Sequence, residues 1–266
     1  MESVRSKDWD ALAGRMRQPQ FQEQIALHKR RENLELIATW APPHVGRLLK
    51  TDLFEEAFGL DSLVDALARA YPSVIGMDIS QTVVAAARAR EPRAGYITSD
   101  AYALPFRSQS FDLIVSISTL DHLPPALFPK ALAELCRALR PGGCLILTLD
   151  SRHNPLHVLS NHIRRSMRMI YAERCFKVDD VIAALDGQPV AVTAVTAIYH
   201  IPFPVNFLAK KARAIAGEWA DAWIRGVIAL CRGLGTLPTR FFTGRYIALR
   251  IIKTAGCEPT ARQEHG

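Results

Sequence analysis

An α/β fold, one largely parallel sheet with helices on both faces, is what the sequence predicts, and three observations lead to it. Residues 111–116 (FDLIVS) are a short apolar run ending in small polar residues, the pattern of a strand buried on both faces. After the break at Pro124-Pro125, Leu127, Ala131, Leu132, Leu135 and Leu139 recur at helical spacing. Pro141-Gly142-Gly143 then stops the helix, and a second apolar run covers 144–148. A strand, helix and strand joined by so long a crossover pair in parallel. The second observation is upstream: a strand near 48, a helix at 62–70 and a strand at 73–78 ending on Asp78. That spacing fits the first mononucleotide-binding half of a Rossmann-like sheet. Third, strand-like runs centred near 48, 75, 97, 114, 146, 195 and 248 bring the number of strands to seven.

Taken in order, residues 1–40 read as polar helix with intermittent apolar points from Trp9 to Ile37, divided at Pro19 and ended by Pro42-Pro43. Residues 1–44 are expected to form an N-terminal helical segment that either covers the ligand cleft or packs outside the sheet. The sheet domain is expected over 45–253. Leu63, Val64, Ala66 and Leu67 mark the inner face of the helix at 62–70. Ser80 is a natural N-cap for a helix at 82–90, and Gly95-Tyr96-Ile97-Thr98 makes a short third strand. Residues 151–187 hold a polar loop and one or two helices, and 188–201, rich in Val, Thr and Ala, read as a strand. A second insertion, 205–240, is expected to contain one helix from 207 to 234. Its stripe of Leu208, Ala212, Ile215, Trp219, Trp223, Val227 and Leu230 reads as core. The two insertions, with residues 1–40, are expected to wall the cleft. Residues 244–252 form the last strand, and 254–266 a flexible tail.

At 266 residues the chain suits one decorated domain. Five scattered cysteines without CxxC spacing point to a reducing compartment and no metal site. The N-terminus lacks a signal-peptide core, and no run approaches the ~18 apolar residues of a membrane span, so a cytoplasmic location is expected. The net charge of +7 permits attraction to anionic surfaces without identifying one. Residues 151–177 carry six Lys/Arg against one acid. Segments 160–177 and 207–232 are therefore the candidates for peripheral membrane contact, a solvated helix face being the alternative.

Asp100-Ala101, Leu104-Pro105-Phe106, Ser110-Phe111-Asp112, His122-Leu123 and Leu139-Arg140-Pro141-Gly142-Gly143 occur in that order. Together they resemble the central motifs of class I S-adenosylmethionine-dependent methyltransferases, in particular the ubiquinone/menaquinone-type group. The resemblance covers about 48–150. It implies sheet order 3-2-1-4-5-7-6 with strand 7 antiparallel, S-adenosylmethionine as cofactor, and methyl transfer to a small-molecule or lipid-like acceptor. One motif departs. The first-strand loop of the family reads acid-x-G-x-G-x-G, whereas residues 50–59 read KTDLFEEAFG, with Gly59 the only glycine. A catalytically inactive, methyltransferase-like scaffold protein is the alternative that this departure raises. No N/D-P-P-Y-like motif follows strand 4, so nucleic acid is not an expected substrate.

Open parallel sheets bind ligands beyond the carboxyl ends of their strands, where the strand order switches. That rule selects Thr51 and Asp52, Asp78 and Ile79, Asp100 and Ala101, and Ser116, with Gly59 in the first loop. Asp78 is suited to accept both ribose hydroxyls, because a carboxylate takes several hydrogen bonds at once; helix capping is its bland role. The resemblance places Asp100 at the adenine amino group and Ser116 at the methionine portion. Asp52 or Glu55 is a candidate for the ammonium. His122, with Asp121 beside it, follows strand 4 and is the candidate base if the acceptor must lose a proton. Fixing the loop is the alternative role for His122. His153 and Asp150 at the strand-5 exit are further candidates, and His200 a weaker one.

Overall fold

The computed structural model describes residues 9–11, 22–166 and 174–254. Seven strands form one sheet in the order β3-β2-β1-β4-β5-β7-β6. They are β1 (Leu48–Thr51), β2 (Val74–Asp78), β3 (Gly95–Thr98), β4 (Phe111–Ile117), β5 (Leu139–Asp150), β6 (Val190–Ile198) and β7 (Tyr246–Lys253). β1 to β5 pair in parallel. β7 runs antiparallel to both of its neighbours, β5 and β6. The predicted order and the direction of the last strand are those observed.

Helix α1 (Glu23–Trp40) precedes the sheet, and α2 (Phe54–Phe58), α3 (Val64–Ala70), α4 (Gln81–Arg90) and α5 (Phe128–Ala138) lie between its parallel strands. Alternate strand residues feed two cores. Leu49, Ile114, Leu145, Leu147 and Leu249 face α5 through Leu132 and Leu135. Leu48, Leu113, Val115 and Ile146 face Leu36 of α1, Leu67 of α3 and Val83 of α4. A period-2 pattern cannot show on strands apolar on both faces, which is why these strands read as continuous runs. Ser80 caps α4 as its position predicts: its Oγ accepts from the Val83 amide at 3.1 Å.

Two elements differ from expectation. β5 begins at Leu139, before the Pro-Gly-Gly, and not at Cys144. The pair Phe111–Leu139 is followed by Leu113–Cys144, so β4–β5 pairing resumes beyond an irregularity that contains Pro141-Gly142-Gly143. Gly142, at φ 77°, supplies the left-handed turn within it.

The expected helix at 207–234 is two helices, α8 (Phe203–Ala216) and α9 (Trp219–Gly235), in the longer insertion that also holds α10 (Arg240–Thr243). Gly217, at φ 54°, breaks the pair. Their buried face is Ala209, Ala220, Ile224 and Cys231, which meet Ile25 of α1 and Tyr199. Most of the predicted stripe lies outside: Leu208, Ile215, Trp219, Trp223 and Leu230 are exposed. Periodicity identified helix here but chose the wrong side, because the helix has two apolar faces.

In the other insertion, α6 (Pro155–Ser166) and α7 (Val178–Ala184) are separated by residues 167–177, of which 167–173 lie outside the described residues. The basic segment 160–177 therefore lies partly outside the described residues, as does nearly all of the tail, 255–266.

Candidate active site

The loop after β1 shapes the site without the glycines of the usual pattern. Counted from Lys50, Asp52 stands where the first glycine would, and it adopts φ 63°, the left-handed conformation that Asp tolerates better than most residues. Its Oδ1 accepts from the Phe54 amide at 2.8 Å and starts the short helix α2. Glu56 stands where the third glycine would. Its carboxylate pairs with the Lys50 ammonium at 3.2 Å, both side chains buried. The same Glu56 accepts from Ser62 Oγ and from the amides of Leu63 and Val64, which fixes the start of α3. Lys50 also donates to the Asp52 carbonyl. A buried ion pair with capping bonds thus does what glycine flexibility does elsewhere.

Close approach of backbones is still needed, and the neighbouring strand provides it. Gly76 of β2 leaves room for Leu53: a Cβ at Gly76 would lie 2.7 Å from Leu53 Cδ2. The Leu53 amide in turn donates to Asp78 Oδ2 at 2.8 Å. Gly76→Ala should therefore push the loop away and cost about 1–3 kcal/mol of stability, measured by denaturant melts, with weaker cofactor binding alongside.

Asp78 ends β2 with its second oxygen accepting from the Ser80 amide at 2.8 Å. Each oxygen so oriented retains a lone pair for another donor. Burial pushes its carboxyl up to about 7, with the nearby Asp52 charge adding to the rise and the two amides and Lys50 opposing it. Asp78 and Asp52 line a cavity of about 510 Å³ that opens at the switch in strand order. Ile79, Asp100 and Ala101 line the same cavity, so five of the eight residues predicted for the cofactor converge there. Met77, Tyr102, Leu123 and Leu127 give it apolar walls, and Thr98 and Ser99 bring β3 to its edge.

The other three residues predicted for the cofactor lie elsewhere. Thr51 and Ser116 are fully buried beneath the cavity, where Thr51 Oγ1 donates to Ser116 Oγ at 3.0 Å and lies 2.9 Å from Thr119 Oγ1. They tie the ends of β1 and β4 together, and Thr119, not Ser116, reaches the cavity. Gly59 lies after α2, and a Cβ there would strike the Glu55 and Asp61 carboxylates, so its smallness serves the acidic cluster.

His122 lines this cavity and a smaller one of about 90 Å³ next to it. Trp9, Asp52 and Phe54 are shared walls. The indole of Trp9 meets the His122 ring edge-on, with centroids 5.3 Å apart, and lies 6.0 Å from Phe54. Asp10 accepts from Ser80 Oγ, so residues 9–11 are anchored over the cleft at the start of α4. Lys29 and Asn33 of α1 line the smaller cavity with Glu55 and Asp61. Lys29 bridges Asp61 at 2.8 Å and Glu55 at 3.5 Å. Burial pushes the Glu55 carboxyl up to about 8 in spite of Lys29.

Asp121 points away from both cavities. It is buried against the end of β5, where its Oδ2 accepts from the Asp150 amide at 3.4 Å. Asp150 itself pairs with His157 at 2.7 Å and Arg245 at 3.3 Å. Burial opposes its charge, but Arg245 and His157 outweigh it and hold the carboxyl well below the usual range. His153 packs on Phe241, and His200 bonds Thr243 Oγ1 at 2.8 Å on another hollow beside Glu35 and Trp40. Neither of the two cleft cavities is lined by a described residue of 151–240, so among those residues the insertions do not wall it. Sequence reasoning missed Trp9, Lys29 and Phe54. Lys50 carried a visible signal, a lysine inside a strand buried on both faces.

The sheet order, the antiparallel last strand and a cleft floored by Asp78 at the switch point define the class I methyltransferase fold. Residues 55–147 match the family model of the methyltransferase domain. The chain carries a class I S-adenosylmethionine-dependent methyltransferase domain. It is 28% identical over 147 residues to a probable S-adenosylmethionine-dependent methyltransferase of Mycolicibacterium smegmatis, covering 51% of this chain and 54% of that protein. It is 32% identical over 104 residues to a demethylmenaquinone methyltransferase of Renibacterium salmoninarum, covering 39% of this chain and 43% of that one. The chain thus spans about half the length of the curated relatives it matches. A solved structure of Haemonchus contortus phosphoethanolamine N-methyltransferase 2 with S-adenosyl-L-methionine superposes with TM-score 0.58 at 16% identity, covering 85% of this chain and 53% of that one.

Proposed function

We propose that the chain binds S-adenosylmethionine in the larger cavity and transfers its methyl group to a small-molecule or lipid-like acceptor by in-line displacement. The observation that carries this reading is the Asp78 carboxylate, held by two amides at the floor of a cavity large enough for the cofactor. Asp78 would accept the ribose hydroxyls, and Asp100 and Ala101 would meet the base between the apolar faces of Ile79 and Leu123. Asp52, at the junction of the two cavities, is placed for an ammonium. When bound, S-adenosylmethionine supplies a methyl group on a positively charged sulfur. What the protein adds is mainly alignment of an acceptor with it and exclusion of water. Trp9 and Phe54 form the apolar cover, and the smaller cavity beyond His122 is the place for the acceptor's reacting end. His122, on the shared wall, is the group positioned to take a proton where the acceptor must lose one. A lipid-like acceptor draws its support from the demethylmenaquinone methyltransferase relative.

Calorimetry with S-adenosylmethionine is the test, and absence of binding by the intact chain would end this reading in favour of a non-catalytic scaffold. His122→Ala should bind the cofactor as the parent does. Its turnover, once an acceptor is found, should fall roughly 100-fold or more if His122 takes a proton.

A further inference from the structure

Helix α9 has two apolar faces, and among the described residues only one is buried. Ala220, Ile224 and Cys231 are buried against the rest of the molecule. On the other side, Trp219, Ala222, Trp223, Gly226, Leu230 and Gly233 follow helical spacing without a charge among them, and all are exposed. Trp219 is 88% exposed, Leu230 72%, and Ile215, just across the Gly217 break in α8, 86%. Single exposed apolar residues are ordinary; a contiguous set that includes two tryptophans marks a surface that meets something.

The charges beside this face indicate what. Between 203 and 243 there are six basic residues (Lys210, Lys211, Arg213, Arg225, Arg232, Arg240) and two acids, Glu218 and Asp221. Asp221 pairs with Arg213 and Arg232 with Glu35 of α1; of the segment's other charges four are basic and one, Glu218, is acidic, so the local balance is cationic. Lys211 lies over the ring of exposed Phe207 at 4.6 Å, an ammonium next to an apolar anchor. Among the described residues no helix is long and apolar enough to cross a membrane. Aromatic and leucine side chains on one face of a helix, rimmed by Lys and Arg, suit a helix lying in the headgroup plane.

We propose that the α8–α9 hairpin is a peripheral membrane-docking surface that inserts Ile215, Trp219, Trp223 and Leu230 into an anionic phospholipid interface. The claim is independent of methyl transfer, since none of these residues lines the cleft. Of the two segments expected to be able to meet a membrane, 160–177 and 207–232, the exposed apolar anchors favour the second.

The experiment is co-sedimentation of the full chain with two kinds of vesicle, pure phosphatidylcholine and phosphatidylcholine with about one quarter phosphatidylglycerol. Binding is expected to the anionic vesicles at ~0.1 M salt and to weaken as salt is raised. The triple variant Ile215→Ser/Trp219→Ser/Leu230→Ser should bind at least tenfold more weakly, and Lys211→Glu/Arg225→Glu several-fold more weakly. Because all five side chains are exposed, both variants should melt as the parent does. Failure of the parent to sediment with anionic vesicles overturns the proposal, as does unchanged binding by the triple variant. A lipid-free dimer of the parent that the triple variant converts to monomer would also overturn it, the occupant then being a second copy of the chain.

Discussion

Replacing either member of the Lys50–Glu56 pair alone is expected to cost about 3–5 kcal/mol of folding stability, because it strands the other charge in the interior. Glu56→Ala should be the worse of the two. It also removes the acceptor for Ser62 and for the amides of Leu63 and Val64 at the start of α3. Lys50→Met keeps the volume of the side chain but leaves Glu56 buried without its counter-ion. The informative variant is the double replacement Lys50→Met/Glu56→Leu. If the pair matters only through charge compensation, the double variant should recover most of the stability lost by Lys50→Met. Chemical denaturation of Lys50→Met, Glu56→Leu and the double variant measures this, and a double variant no better than the sum of those singles would show that the capping bonds dominate. Cofactor calorimetry on the double variant then asks whether the loop keeps its shape without glycines or charges.

Asp78→Ala should weaken S-adenosylmethionine binding by roughly 1.5–3 kcal/mol, about ten- to a hundredfold. The same variant strips the acceptor from Leu53 and Ser80, so its melting must be followed in parallel; Asp78→Asn keeps one acceptor and separates the two effects. The position of the carboxyl at about 7 adds a pH signature. Ribose hydroxyls donate to the ionised form, so affinity should climb between pH 6 and 8, and Asp78→Asn should flatten that climb. Apo stability runs the other way. A raised folded-state value means that the folded chain holds the proton more tightly. The contribution of Asp78 is therefore full below the usual carboxylate value and is lost as pH rises through about 7. Asp52→Asn removes a charge that raises the Asp78 value, so the affinity profile should move to lower pH. Parent-like affinity in Asp78→Ala would show that the ribose is held elsewhere.

The acidic tip of β2 and the Asp100-Ala101 turn were legible because strand ends in an open parallel sheet are where ligands meet the fold, whatever the sequence between them. Position alone could not say which way a side chain points. Ser116 and Thr51 stand at strand ends but turn into the sheet and bond one another, and Asp121 turns toward Asp150 although its neighbour His122 faces the cleft. Gly59, the one glycine of the first loop, serves the Glu55 and Asp61 carboxylates. Gly76, inconspicuous in a strand, turned out to be the glycine that lets the loop approach.

By itself the sequence determined the order of strands and helices, the acidic strand tip and the motifs of the methyltransferase domain. These follow from local hydrophobic period, turn residues and spacing, which act over a few residues at a time. Only the tertiary structure decided how a glycine-poor loop is held, which face of α9 is core, and that Trp9 closes on His122. The α9 face and the Trp9 cover depend on partners tens of residues or more away in the chain. The loop depends on partners both near (Glu56 with Lys50 and Ser62) and on the neighbouring strand (Leu53 with Gly76 and Asp78). A buried charge, a second apolar helix face or an aromatic cover has no one-dimensional signature until those partners are in place.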